Sequence, residues 1–136
     1  MKTKKNVRLQ LISKQNDQEI VQTMVAEQFF KGSVSYLRYL EVEPSMGRTM
    51  TTIKMDSEKL RIYRQGDVES EQTFVFATRK NGFYRTMQGT LELDTHTHFI
   101  DNHLVKGLGI ITWSYDLYVS GELSGTHKIT LRINKA

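Results

Sequence analysis

The sequence predicts an all-β protein, a closed antiparallel up-and-down barrel formed by a single domain over residues 1–136. Three observations predict it. Apolar and polar residues alternate with a period of two in one segment after another, which sends neighbouring side chains to opposite faces of a strand. Short turn-forming clusters separate these segments at the spacing of a barrel or sandwich. No segment carries a convincing helical stripe. The nearest is residues 19–30, where Ile20, Val21 and Met24 share a helical face, but its valines, threonine and paired phenylalanines favour a strand.

The segments follow in chain order. Val7, Leu9 and Leu11 alternate with Arg8 and Gln10, and Asn16-Asp17-Gln18 turns the chain. Residues 19–31 form a long second strand and residues 33–42 a third, bounded by the turn Glu43-Pro44-Ser45-Met46-Gly47. Residues 48–55 and 59–65 are joined through Asp56-Ser57-Glu58, and Gly66-Asp67 leads into a strand at 72–78. Arg79-Lys80-Asn81-Gly82 reads as a turn, followed by strands at 83–95 and 97–104 and a reversal at Lys106-Gly107. The clearest alternation comes last. Ile111, Trp113, Tyr115, Leu117 and Val119 take one face against Thr112, Ser114, Asp116 and Tyr118. Ile129, Leu131 and Ile133 repeat the pattern after a glycine-bearing turn at 120–125, so the two segments form a hairpin. About eight to ten strands result. Short consecutive connections favour a meander of neighbours, and a meander this long removes its exposed edges by closing. An open sandwich is the alternative. The predicted interior is Leu9, Phe74, Leu91, Leu93, Ile111, Trp113, Leu117, Ile129 and Leu131.

Composition narrows the chemistry. The absence of cysteine excludes disulfides, thiolate catalysis and cysteine-ligated metal centres. Arg8 and Gln10 interrupt the apolar residues that follow the basic N-terminus Met1-Lys2-Thr3-Lys4-Lys5, so no signal peptide is expected and the cytoplasm is the expected compartment. No apolar stretch has the length of a membrane-spanning helix, and no membrane partner is expected. The net charge of +4 is mixed along the chain beyond the N-terminus, as in a solubility device.

The order of motifs in the chain carries a resemblance. Phe74, then Tyr84, Thr86, Gly89, Leu91, Leu93 and Thr95, then Gly109 and Tyr115-Asp116-Leu117 follow a spacing similar to that of the bacterial YwiB-like proteins. The runs Tyr36-Leu37-Arg38-Tyr39-Leu40-Glu41 and Arg64-Gln65-Gly66 also resemble that family, so the likeness covers nearly the whole chain. It implies a calycin-like, lipocalin-type β-barrel. That family has no known function, and the resemblance implies no activity, cofactor or catalytic residue.

No enzyme is expected from the residues themselves. No serine sits in a Gly-x-Ser-x-Gly setting, and no glycine-rich phosphate loop opens a helix. Glu41 and Glu43 share a face, but Glu43 borders Pro44 at a strand end, which gives no support to paired-carboxylate chemistry. Asp94, His96 and His98 point the same way along one strand, and the two histidines are within reach of one metal ion. Leu91 and Leu93 take the opposite phase, so the histidines face solvent and no metal site or cofactor is expected.

The informative positions are polar residues in an apolar phase. Leu37 and Tyr39 lead to Glu41, while Leu60 and Ile62 lead to Arg64. A charge on an interior face costs several kcal/mol by order of magnitude unless paired or wetted. Tyr115 adds a hydroxyl in phase with Trp113, and Tyr84 joins if its strand faces inward. Two roles fit the cluster. It pins strand register as an ion pair with tyrosine hydrogen bonds. Alternatively, it anchors the polar end of a small apolar or acidic ligand whose body meets Trp113, Phe74 and Leu91. Arg64 would then hold a carboxylate through its planar fork. The expected ligand-binding residues are Glu41, Arg64, Tyr39, Phe74, Tyr84, Trp113 and Tyr115. A second surface is the outer wall, where Tyr36, Arg38, Arg61, Tyr63 and Arg79 offer stacking and phosphate contacts to a nucleic acid, or a docking face to a protein.

Overall fold

The computed structural model describes residues 3–136, so Met1 and Lys2 of the basic N-terminus lie outside the described residues. Ten strands run in chain order: β1 (Lys5–Gln15), β2 (Gln18–Lys31), β3 (Val34–Leu40), β4 (Thr49–Met55), β5 (Lys59–Gly66), β6 (Glu69–Val75), β7 (Arg79–Thr86), β8 (Gly89–Val105), β9 (Leu108–Val119) and β10 (Glu122–Lys135). Each pairs antiparallel with the next, and β1 closes on β10, from Val7 opposite Lys135 to Gln15 opposite His127. The sheet is therefore an up-and-down barrel with two ends. The β1–β2, β3–β4, β5–β6, β7–β8 and β9–β10 connections gather at one end, here the base. The other connections, the start of β1 and the end of β10 gather at the mouth. Among the described residues, no helix is long and apolar enough to cross a membrane.

Alternation sets the interior as expected. Leu9, Phe74, Leu93, Ile111, Trp113, Ile129 and Leu131 are buried, and Leu117 packs against that core. Leu91 is the exception, at 48% exposed. It has the inward phase, but β9 ends at Val119 opposite Leu93, so Leu91 extends past the neighbour that would cover it.

The other corrections concern turns. Arg79-Lys80-Asn81-Gly82 is strand, the start of β7, and the reversal lies just before it, where Ala77 takes φ 57°. Gly82 marks a close approach. A Cβ there would drive into the carbonyl oxygen of Glu71 on β6. Residues 83–95 are not one strand, because the chain reverses at Met87-Gln88, where the Thr86 hydroxyl accepts from the Gln88 N–H at 3.1 Å. Conversely, the strands expected to part at His96 are one, β8, which carries a bulge between Thr97 and Phe99. The β9–β10 turn tightens to Ser120-Gly121, and Gly125 sits at a register shift within β10. Glu43 to Gly47 forms the expected connection, with a 3-10 turn at Pro44–Met46.

Gly82→Ala should lower stability by about 1–3 kcal/mol, because backbone must shift to admit the methyl group. A lower urea midpoint with an unchanged far-ultraviolet circular dichroism spectrum is the expected result.

Candidate functional site

Strand register assembles the base of the barrel. Tyr39 lies opposite Thr51, Thr51 opposite Arg64, Arg64 opposite Ser70, and Ser70 opposite Tyr84. These residues form one inward rung across five strands. Glu41, one residue past the end of β3, reaches into it. Its carboxylate accepts from the Thr51 hydroxyl and pairs with Arg64 Nε at 3.4 Å. Arg64 Nη1 lies 3.4 Å from Ser70 Oγ. The Glu41 side chain is 5% exposed and that of Arg64 is 20% exposed, so the pair is largely withdrawn from water. The predicted partnership is therefore present and is extended by Thr51 and Ser70.

The loop beneath this rung is locked. The Thr49 hydroxyl donates to the Met46 carbonyl at 2.5 Å and accepts from the Val68 N–H at 3.1 Å. Asp67 accepts from the Arg48 N–H at 2.9 Å, which ties the β3–β4 and β5–β6 connections together. The Tyr84 hydroxyl lies 3.7 Å from the sulfur of Met46, so Tyr84 meets the 3-10 turn that covers the base.

Above the charged rung stands an aromatic group. Phe74 packs on Tyr115 with ring centroids 4.7 Å apart and on Trp113 at 5.7 Å. His127 stacks on the ring of Tyr115 at 5.3 Å. Burial pushes the Tyr115 hydroxyl up to about 12, opposed by the nearby Arg64 charge and a hydrogen bond with Gln72. Burial, reinforced by the Glu41 carboxylate, likewise pushes Tyr39 up to about 12. Partial burial draws His127 below the usual histidine range. Both tyrosines and His127 are thus neutral hydrogen-bonding groups near neutral pH. Among the described residues, Trp113 Nε1, Thr97 Oγ1 and His127 Nε2 are buried without a hydrogen-bond partner, and they occupy adjacent inward rungs.

The seven predicted residues therefore share one compartment: Glu41 and Arg64 as an ion pair, Tyr39 and Tyr84 on its rung, and Phe74, Trp113 and Tyr115 stacked beside it. Sequence reasoning missed Thr51, Ser70, Gln72, Thr97 and His127. Their inward phase was readable from Ile53, Phe74, Leu93 and Ile129, but small polar residues send no signal of their own.

An open hollow lies at the opposite end. A cavity of about 390 Å³ at the mouth has Met55, Leu60, Val75, Ile100 and Ile111 as apolar lining and the β4–β5 turn as rim. An adjoining hollow of about 250 Å³ shares Met55, Asp56 and Asn102 and reaches Ser35. Ser35 Oγ is buried without a partner among the described residues. Asp56 accepts from the N–H groups of Glu58 and Lys59, each at 2.8 Å, which fixes the rim and holds its carboxyl below the usual range.

The outer wall of β2–β5 carries the predicted basic and aromatic residues. Tyr36 stacks parallel on Phe29 at 4.9 Å, and Lys31, Lys54, Arg38 and Lys4 lie over these two rings. Arg61 covers Tyr63 and pairs with Glu71. Arg79 stands apart on β7, where it stacks on Tyr118 and pairs with Asp94.

Arg64→Ala should destabilise the protein by about 3 kcal/mol, because it strands a buried carboxylate. Arg64→Met combined with Glu41→Gln should cost less than about 1 kcal/mol, since it removes both charges. Urea unfolding of the three proteins checks the ordering.

The whole-chain comparisons agree with this architecture. The uncharacterized β-barrel protein YwiB of Bacillus subtilis (strain 168) is 29% identical over 122 residues, which cover 89% of this chain and 85% of that protein. The crystal structure of the ywiB protein from Bacillus subtilis superposes with a TM-score of 0.79 at 24% identity, covering 99% of this chain and 93% of that one. Residues 6–131 match the domain of unknown function DUF1934, and the chain belongs to that family.

Proposed function

We propose that the protein is a noncatalytic, cytoplasmic binding protein whose barrel mouth takes a small, partly apolar ligand. The observation that carries this reading is the 390 Å³ hollow floored by Met55, Leu60 and Ile111. Its volume falls in the range of small-molecule sites, which combine an apolar lining with few polar groups. The Ser35 hydroxyl in the adjoining hollow is a buried polar group with capacity to spare. The base is a poorer place for the ligand, because Glu41 and Arg64 are already paired with each other and Phe74, Trp113 and Tyr115 fill the space beside them. Asp56 and Glu58 outnumber Lys59 at the rim, which favours a neutral polar head over a carboxylate.

Octanol, titrated while methyl resonances are followed by NMR, should give saturable shifts at Met55, Leu60, Ile100 and Ile111, with weaker shifts from octanoate. Ile100→Trp should fill the hollow and abolish them, while Arg64→Ala leaves them in place. Absence of saturable shifts in the parent protein sinks the reading.

A second reading rests on the stacked Phe29–Tyr36 pair and its ring of cations, a surface suited to the phosphates of a single-stranded nucleic acid. It requires affinity for single-stranded RNA that falls steeply with salt and drops when Arg38 and Arg61 are changed to Ala. No binding at low salt disposes of it.

A further inference from the structure

We propose that His96, His98 and Asp116 form a binding site for a divalent transition-metal ion on the outer wall of the barrel, independent of the hollow at the mouth. Their ligand atoms all lie within 4.8 Å of one another. Bonds of about 2.0–2.2 Å to one ion would bring such atoms to slightly over 3 Å, so small side-chain rotations close the set. His98 Nε2 and Asp116 Oδ1 already lie 3.0 Å apart.

The backbone explains the convergence. His96 on β8 lies directly opposite Asp116 on β9, and both point outward because their neighbours Thr95, Thr97 and Tyr115 point in. The bulge between Thr97 and Phe99 inserts His98 as an extra residue, unpaired with β9. A bulge of this kind re-aims a side chain, and here it turns His98 onto Asp116. The His96 and His98 rings meet edge to face at 5.4 Å.

The carboxylate is oriented from behind. Thr126 on β10, opposite Asp116, donates its hydroxyl to Asp116 Oδ1 at 2.6 Å. Hydrogen bonds to ligating carboxylates are a regular part of metal sites. A competing cation, Arg79, lies opposite His96 on β7, and it is engaged elsewhere: its Nε lies 2.8 Å from Asp94, and its guanidinium lies over Tyr118. Asp94, which shares the phase of the histidines in sequence, is thereby committed to Arg79 and Asn81 and does not join them. Two imidazoles and one carboxylate suit ions such as Zn²⁺, Co²⁺ or Fe²⁺ and leave coordination positions open for water or an added ligand.

Calorimetry with Co²⁺ and Zn²⁺ on protein freed of any histidine tag tests this, with the visible spectrum of Co²⁺ reporting coordination. Saturation at one ion per chain is expected. His96→Ala, His98→Ala and Asp116→Asn should each weaken binding about tenfold or more, as loss of a ligand requires. His103→Ala, which removes another outward histidine, should leave it unchanged. Unaltered circular dichroism spectra show that the variants fold. Absence of saturable binding overturns the proposal, as does any of the three ligand variants binding as tightly as the parent.

Discussion

Closure of β1 onto β10 is the constraint on which the rest of the structure depends. It pairs segments from opposite ends of the chain, and it converts a long meander into a wall without free edges. Once the wall is closed, every residue faces either a shared interior or the outside. The interior charges must then find partners among the few groups on their own rungs. Arg64 has Thr51 and Ser70 beside it and Glu41 just past the end of β3, one strand beyond Thr51, which makes the ion pair a consequence of register. Whether such a pair adds net stability depends on how completely its remaining hydrogen bonds are met. Here Thr51 supplies one to the carboxylate.

The two ends of the barrel meet this constraint differently. At the base, the β3–β4 connection folds beneath the charged rung and is held there through Thr49, Asp67 and Met46. Side chains pack the interior above it, while a hollow of about 420 Å³ lies among the connections themselves, lined by Pro44, Asp67, Val68, Thr86 and Met87. At the mouth, short turns stand beyond the last buried rung of Met55, Leu60 and Phe74, and among the described residues no comparable loop folds across it. Apolar floor therefore remains open to a hollow. A barrel of this size is commonly filled by its own side chains. Here the aromatic and charged side chains fill the interior toward the base, and apolar floor is left open at the mouth.

Much of this was legible in the sequence because alternation is a local property. Trp113 and Tyr115 inside, Thr112 and Asp116 outside, and Glu41 with Arg64 in an apolar phase can all be read from residues two apart. Connections that break the usual turn chemistry were not legible. Gly82 looks like a turn residue but serves the close approach of β6 and β7, while the reversal at Met87-Gln88 lacks the paired turn residues that announce a hairpin. Cross-strand register was also hidden. Asp116 could be placed on an outer face, but nothing local shows that it lies opposite His96.

The bulge at His98 joins these two kinds of information. Before it, β8 turns odd-numbered residues inward, and Thr95 and Thr97 are buried. After it, the phase reverses: Ile100 lies opposite Trp113 and packs against the core, while Phe99 faces out. A strand as long as β8 that kept one phase would send Ile100 into solvent and Phe99 into the barrel. The extra residue therefore has a structural reason in the interior, where it returns apolar residues to the core. Its outward consequence is that His98 is freed from the ladder beside His96 and Asp116. A single insertion thus serves packing on one face of the wall and places three metal-ligating side chains together on the other.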